Sequence, residues 1–146
     1  MAGAVIFSGM SIAELPQELV ESAVELWESV GLTRPWNDPR ADVRRALGAP
    51  ASTVLADVHS GCVVATVMVG HDGHRGWVYY LAVRPELQRL GRGREMMREA
   101  ERWLRRAGVP KFNLMVRADN LPAKDFYLRI GYSPSDVVVL SRTLGP

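Results

Sequence analysis

The residues best suited to chemistry lie where a strand-like segment ends and a long predicted helix begins. Leu81, Ala82 and Val83 end the strand-like segment, and the loop and first helical turn that follow comprise Gln88, Arg89, Leu90, Gly91, Arg92, Gly93 and Arg94. Backbone N–H groups in a first helical turn have no intrahelical acceptor, and with the helix dipole they favour an anion. Because Gly91 and Gly93 let a ligand approach the backbone and the arginines add positive charge, the segment predicts a pyrophosphate site.

This loop lacks the signatures of two common phosphate-binding motifs. It has no Lys-Ser/Thr ending, which disfavours a P-loop nucleotide hydrolase. It also lacks the third glycine of the dinucleotide fingerprint, and the strands before it form a meander that does not open a βαβ unit. A tight strand-to-helix turn, with glycines needed only for geometry, is the other interpretation of the loop.

The pattern Gln88-x-x-Gly91-x-Gly93 resembles the pyrophosphate loop of the GCN5-related N-acetyltransferase (GNAT) family, Gln/Arg-x-x-Gly-x-Gly/Ala. Downstream, Asn120 followed by Phe126-Tyr127 and Gly131-Tyr132 is similar to the family's C-terminal pattern. The resemblance extends from about Val54 to the C-terminus. Three further segments resemble bacterial YpeA-type members of the family, namely Thr33–Pro39, Asp72–Gly76 and Tyr79–Leu81.

The resemblance implies an α/β (α+β) fold with a mixed central sheet of six to seven strands and about four flanking helices. It also implies a bulge in the strand before the loop and a V-shaped splay between the fourth and fifth strands. A single domain, 1–146, would carry the activity. The implied reaction is acetyl transfer from acetyl-CoA to an amine by direct attack in a ternary complex. The amine would belong to a small molecule or a peptide.

The resemblance also implies roles for individual residues. Leu81–Val83 would pair with the pantetheine arm, and Gln88–Arg94 would hold the pyrophosphate. Asn120 would lie near the pantetheine, although an N-cap role is also consistent with its position. Lys124 would reach the nucleotide phosphates, with a solvent-exposed lysine as the alternative. Tyr127 would protonate the leaving thiolate, with a core aromatic as the alternative.

The acceptor side of the site is less clearly marked. Trp36 lies between two prolines in a loop, which is consistent with a lid over the acceptor or with a plug at the core edge. Tyr79 and Tyr80 are expected to alternate across their strand, so that one, taken here as Tyr79, faces the substrate. Family members place a glutamate that acts as general base at one of two positions. In this sequence those positions hold Trp77 and Met115. Deprotonation through water, or by a group of the N-terminal half, is therefore expected.

Two histidines remain as candidate bases. His71 and His74 have the right chemistry, yet they lie in a glycine-containing turn where solvated histidines are common. The missing glutamate also favours an alternative function, a non-catalytic acetyl-CoA sensor of the same fold. The acyl group itself need not be acetyl, because a pyrophosphate loop does not contact the acyl chain.

Glycine and proline residues interrupt the hydrophobic patterns and divide the chain into short predicted helices and strands. The predicted helices are Leu15–Val30, Pro39–Leu47, Gly93–Ala107 and Asn120–Ile130. The predicted strands are Val5–Met10, Thr53–Val58, Cys62–Val69, Trp77–Val83, Phe112–Val116 and one beginning at Val137–Ser141, with a hairpin turn at Ser60-Gly61.

Composition limits the function classes. The 146 residues carry a formal charge of only +2, and the arginines of the long helix alternate with glutamates, so we expect no nucleic-acid partner. No signal sequence or membrane span is expected, which predicts a cytoplasmic protein. One cysteine, Cys62, excludes an internal disulfide or a multi-cysteine metal site and is predicted to be buried. The apolar segment Val137–Leu140 is suited to pairing in a homodimer.

Overall fold

The computed structural model describes residues 10–145. These residues form two compact units, the first ending at Met115 and the second beginning at Val116. The first unit contains the strands β1 (Ile12–Glu14), β2 (Ser52–His59), β3 (Cys62–His71), β4 (Gly76–Val83) and β5 (Phe112–Leu114), and the helices α1 (Val20–Ser29), α2 (Pro39–Gly48) and α3 (Arg92–Arg106). Two short 3-10 turns, Gln17–Leu19 and Pro85–Leu87, precede α1 and α3. The second unit contains the helix α4 (Leu121–Arg129).

The strands form one mixed sheet in the order β1-β2-β3-β4-β5. Neighbouring strands from β1 to β4 are antiparallel, and β5 joins β4 in parallel. The predicted hairpin between β2 and β3 is present, since Ser60 (φ 51°) and Gly61 (φ 75°) both adopt positive φ. Two such residues make a type I′ turn, whose twist matches the twist of paired strands.

Helices cover both faces of the sheet. Trp27 of α1 donates a hydrogen bond to Thr66 of β3, which places α1 on the face to which Thr66 points. Arg92 of α3 pairs with Asp57 of β2 and marks the opposite face. The larger core lies on the α1 and α2 face, where Trp27, Val24, Val43 and Val54 are fully buried. Because successive strand residues point to opposite faces, β2 and β3 supply apolar side chains to both layers.

A β-bulge interrupts β4 at its centre. Thr66 of β3 pairs with Ala82 and Met68 pairs with Tyr79, so Tyr80 and Leu81 both lie opposite Val67. Tyr80 adopts φ 52°, a left-handed conformation that a bulky residue takes up only when its surroundings hold it there.

Three contacts from α1, α2 and β3 hold Tyr80 in this conformation. The Thr66 hydroxyl donates to the Tyr80 carbonyl oxygen at 2.8 Å and accepts from Trp27 Nε1 at 2.8 Å. The Tyr80 ring stacks on Trp27, with centroids 4.0 Å apart, and its hydroxyl donates to Asp42 Oδ2 at 2.8 Å. The bulge is therefore fixed by packing and by hydrogen bonds to both its main chain and its side chain.

From Tyr79 onward, β4 extends past the end of its pairing with β5. The parallel ladder runs from Gly76 opposite Phe112 to Val78 opposite Leu114 and stops there. A Cβ atom at Gly76 would lie 2.9 Å from Phe112 Cβ, so glycine permits the close approach of the two strands. The residues Tyr79–Val83 continue past the last paired residue of β5, whereas the V-shaped splay itself stays a prediction.

The strand count differs from the expectation. Residues 10–145 form five strands, against six to seven expected, together with the four helices. The predicted strand Val5–Met10 falls almost entirely outside the described residues. Val137–Ser141 forms no strand, and Val138 and Leu140 are 84% and 90% exposed. The error arose because a run of β-branched residues shows only propensity, whereas a strand also needs a paired neighbour.

The prediction that Cys62 is buried is also wrong. Cys62 is exposed, because it is the first residue of β3 and pairs with His59 beside the hairpin turn. Within residues 10–145, every helix falls short of the length and apolarity that spanning a bilayer demands.

We expect Thr66→Val to lower the free energy of unfolding by about 2 kcal/mol, because it leaves the Trp27 indole N–H and the Tyr80 carbonyl without their partner. Urea unfolding followed by circular dichroism measures the change. Thr53→Val is the matched control. Thr53 is equally buried, but it donates to the exposed Glu14, so we expect less than about 1 kcal/mol. Equal losses in the two variants would contradict the assigned role of Thr66.

Candidate functional site

The start of α3 carries no side-chain cap. Its N-cap residue, Gly91, adopts φ 83°, and no side chain accepts a hydrogen bond from the first turn. The other described helices that follow loops are capped, α2 by Asp38 and α4 by Asn120. The amides of Gly93 and Arg94 therefore begin a 15-residue helix with neither an intrahelical nor a side-chain acceptor. This arrangement suits an anionic ligand.

The loop before α3 is held against the end of β4. The Gln88 side chain donates from Nε2 to the Val83 carbonyl oxygen at 2.9 Å. Arg89 adopts φ 64°, and together with Gly91 this turns the chain sharply into the helix. Leu90 is 68% exposed at the tip of the loop. The predicted role of Gln88 in cofactor binding thus has a structural component, since its amide fixes the distance between strand and loop.

Arg92 differs from its neighbours in the loop. The sequence interpretation adds its charge to the anion site, but the side chain is 7% exposed and Nη1 lies 2.7 Å from Asp57 Oδ2. Asp57 is fully buried, and its other oxygen lies 2.9 Å from His59 Nε2. The guanidinium is therefore committed to a buried carboxylate, and the exposed Arg89 and Arg94 carry the side-chain charge around the turn.

A cleft of about 740 Å³ opens on the α1 and α2 face of the sheet, beside the bulge. Its lining is mainly apolar and aromatic, with a few polar groups at α2 and at the β3–β4 turn. The lining residues are Leu32, Asn37, Asp42, Arg45, Ala46, Ala49, Ala51, Ser52, Met68, Val69, Gly70, His71, Asp72, Trp77, Tyr79 and Tyr80. This size and character are typical of small-molecule sites.

The bulge brings two tyrosines into one cleft. Tyr79 and Tyr80 both line it, so the expected alternation across the strand is wrong at this point. The extra residue in β4 cancels the normal two-residue period. Tyr79 is 44% exposed. Burial, and then the hydrogen bond to Asp42, raise the pKa of Tyr80 well above its usual value, so its hydroxyl stays protonated.

Other sequence-selected residues fall around this cleft or outside it. Trp36 does not line it and is 72% exposed, whereas the neighbouring Asn37 contributes to the wall. His71 lies at the rim, with its ring 6.0 Å from that of Trp103 on α3. His74 lies in the turn, where its amide donates to Asp72, and it does not line the cleft. Trp77, at one of the two positions of the general-base glutamate, forms part of the cleft wall.

The second unit contains the remaining predicted site residues. Asn120 accepts a hydrogen bond from the Ala123 amide at 3.2 Å, which establishes its N-cap role. Lys124 is exposed. The Tyr127 ring contacts Phe126 and Tyr132 edge to face, with centroids 5.0 and 5.8 Å away. Burial raises the pKa of Tyr127 to about 12, so the phenol is protonated at any physiological pH.

Three residues that shape the site were not selected from the sequence. Asp57 anchors the start of α3, Thr66 fixes the bulge, and Asp42 binds the Tyr80 hydroxyl. Asp57 and Thr66 left a weak signal, since each is a polar residue within an otherwise apolar strand. Asp42 left none, because an acidic residue in the first turn of a helix is common.

These features find their counterparts in known proteins. Residues 17–132 match the family model "Acetyltransferase (GNAT) family". The chain belongs to the GNAT acetyltransferase family. Acetyltransferase YE1169 of Yersinia enterocolitica is 38% identical to this acetyltransferase over 135 residues, which cover 92% of this chain and 96% of that protein. Membership of the family favours the enzyme over the non-catalytic sensor as an interpretation.

Solved structures confirm the fold. A structure of the aminoglycoside N-acetyltransferase AAC(6')-Iy in complex with CoA matches with a TM-score of 0.79 at 14% identity, over 92% of this acetyltransferase and 95% of that chain. The aminoglycoside 6'-N-acetyltransferase AAC(6')-IG of Acinetobacter haemolyticus matches with a TM-score of 0.74 at 17% identity, over 93% and 100% of the two chains.

Replacing Asp57 tests the anchor of α3. We expect Asp57→Asn to lower the free energy of unfolding by about 3 kcal/mol, because it leaves the buried Arg92 guanidinium without its counter-charge. The double variant Asp57→Asn/Arg92→Met should recover much of this loss in urea unfolding. Glu95→Gln is the control: it breaks an exposed pair with Arg98 and should cost less than about 1 kcal/mol. A double variant less stable than Asp57→Asn alone would refute the coupling.

The raised pKa of Tyr127 has a consequence for stability at high pH. The free Tyr pKa is 10.0 and the folded value is about 12, so folding favours the neutral phenol. This contribution is fully present below pH 10 and is lost as pH rises through 12, about 3 kcal/mol in all. Unfolding free energies measured across this range should fall less steeply for Tyr127→Phe than for the unmodified protein. Equal slopes of the unfolding free energy against pH in the two proteins would contradict a raised pKa for Tyr127.

Proposed function

We propose that this acetyltransferase transfers the acetyl group of acetyl-CoA to an amine bound in the cleft beside the β4 bulge. One observation carries the proposal: within the first unit, the unpaired edge of β4 at Tyr79–Val83 is followed, after the loop 84–91, by the uncapped start of α3. An extended ligand with a pyrophosphate at one end needs such a combination, a strand edge for its amide-bearing arm and free amides for its phosphates.

The cofactor contacts follow from this placement. The pantetheine arm would pair with the main chain of Leu81, Ala82 and Val83, as an added strand. The pyrophosphate would bind the amides from Gly91 to Arg94, with Arg89 and Arg94 as counter-charges. Arg92 would contribute its amide alone, because its side chain is bound to Asp57. AAC(6')-Iy, which shares the fold, binds CoA, and this supports the choice of cofactor.

The reaction balances without a covalent enzyme intermediate. The neutral amine nitrogen attacks the thioester carbonyl carbon, the C–S bond breaks, and CoA leaves as a thiolate that takes up a proton. The nitrogen loses one proton to water, because Trp77 and Met115 occupy the two positions at which family members place a general-base glutamate. A main-chain N–H of Leu81–Val83 would polarise the carbonyl.

Tyr127 is our proposed partner for the thiolate, in the role that its position in the family pattern implies. With its pKa raised to about 12, full proton transfer to a thiolate is uphill, because thiols have pKa values of about 8.5. The phenol would therefore stabilise the thiolate as a hydrogen-bond donor, and solvent would supply the proton. Asn120 and Lys124 stay predictions as cofactor contacts.

Several finer expectations also stay predictions. They are the YpeA-type kinship, the single domain over 1–146, the cytoplasmic location, the homodimer, the absence of nucleic-acid and membrane partners, and the preference for an acetyl over a longer acyl group.

Calorimetry with CoA tests the cofactor, and we expect saturable binding with a micromolar dissociation constant. Gly91→Ala should weaken it at least tenfold, because a Cβ at φ 83° strains the turn that presents the amides. Gly73→Ala is the matched control, since Gly73 also adopts positive φ (88°) but lies in the β3–β4 turn. No saturation at millimolar CoA, or equal effects of the two variants, would contradict the proposed cofactor site.

Tyr127→Phe tests the thiolate partner. We expect turnover, measured as free thiol released from acetyl-CoA, to fall about 10- to 100-fold, which is less than the roughly 100- to 10,000-fold of a full general acid or base, because the donor shares its proton without transferring it. The dissociation constant of CoA should change less than about twofold. Unchanged turnover would remove Tyr127 from the mechanism and leave the cofactor site intact.

A further inference from the structure

We propose that the acceptor is a compact amine with an aromatic body and a single positive charge, and that polycationic amines are poor substrates. This inference rests on the proposed function, because it names the acceptor class of the same cleft. It is carried by the aromatic wall of the cleft and by the way its charged groups are already bound within the protein.

The aromatic wall offers one open ring. Trp77, Tyr79 and Tyr80 all come from β4, and Met68 lies opposite Tyr79 on β3. Tyr80 is stacked on Trp27, which covers one face of its ring, and both Tyr80 and Trp77 are partly buried. Tyr79 is 44% exposed within the cleft and is free to stack on a ligand ring. Flat aromatic surfaces of this kind favour aromatic or aliphatic bodies.

The charged groups of the cleft leave little for a polycation. Both oxygens of Asp42 have partners, Oδ1 bonding to Arg45 and Oδ2 accepting from the Tyr80 hydroxyl. Arg45 itself lines the cleft and repels further positive charge. Asp72 remains, exposed at the rim, with Oδ1 accepting from the amides of His74 and Arg75. Its carboxylate also accepts from the Trp77 side chain, and no cationic side chain among the described residues forms a salt bridge with it. One rim carboxylate can attract one ammonium group, whereas several ammonium groups would face Trp77 and Met68 without counter-charges.

This assignment separates the protein from its structural neighbours. AAC(6')-IG is an aminoglycoside antibiotic acetyltransferase, and aminoglycosides carry several ammonium groups. Sharing a fold at 17% identity does not transfer a substrate, because specificity lies in the residues that line the site. The pairing of Asp42 with Arg45 and Tyr80 is a property of this chain that argues against such a substrate.

Thiol release from acetyl-CoA gives kcat/KM for four amines: phenethylamine, propylamine, spermidine and kanamycin. We expect phenethylamine to exceed spermidine and kanamycin at least tenfold, a difference of about 1.4 kcal/mol that one aromatic stack and the avoided burial of unpaired charge supply. Tyr79→Ala should raise KM for phenethylamine about tenfold with little change in kcat. It should barely affect propylamine, which has no ring, and Tyr79→Phe should keep the preference of the unmodified protein.

A preference for spermidine or kanamycin, or equal effects of Tyr79→Ala on phenethylamine and propylamine, would overturn the inference. Direct binding keeps it separable from the proposed function. Phenethylamine titrated into the full protein, followed by tryptophan fluorescence, should saturate and should weaken about tenfold in Tyr79→Ala, with or without CoA. Such binding in a protein that does not bind CoA would sink the proposed function alone. Failure of phenethylamine to bind a protein that does bind CoA would sink the inference alone.

Discussion

The hydroxyl of Thr66 connects the core of the protein to the strand on which the proposed site depends. It accepts a hydrogen bond from the buried Trp27 indole and donates one to the carbonyl oxygen of Tyr80. The second bond holds Tyr80 in a left-handed conformation that its side chain alone would disfavour. Because the bulge inserts one residue into β4, it sets where the remaining residues of this strand point.

The aromatic wall of the cleft follows from that bulge, and the strand edge lies beside it. The bulge at Tyr80 and Leu81 brings Tyr79 and Tyr80 to the same wall, and the unpaired edge continues from it to Val83. A second buried interaction fixes the other end of the strand edge, since Asp57 binds Arg92 at the first turn of α3. The two interactions lie on opposite faces of the sheet, so each helical layer positions one half of the proposed cofactor edge.

The sequence sufficed for what depends on local patterns. The periodicity of α3, the hairpin at Ser60-Gly61 and the loop Gln88–Gly93 could all be assigned, because each is specified by residues close together in the chain. The resemblance implies a bulged strand before the loop, but the position of the bulge at Tyr80 and the burial of Arg92 could not be assigned, since both depend on partners at least 14 positions away. The segment Val137–Ser141 shows the opposite error: strong propensity without a partner strand predicted an element that the structure lacks.

Amide chemical shifts measured in ¹⁵N-labelled protein during a titration with CoA test the central claim most directly, because they report on main-chain N–H groups. The account predicts saturable shifts in two groups of amides, those of Leu81 and Val83 on the strand edge and those of Gly91, Gly93 and Arg94 at the start of α3. Shifts confined to other parts of the chain, or none at millimolar CoA, would contradict it.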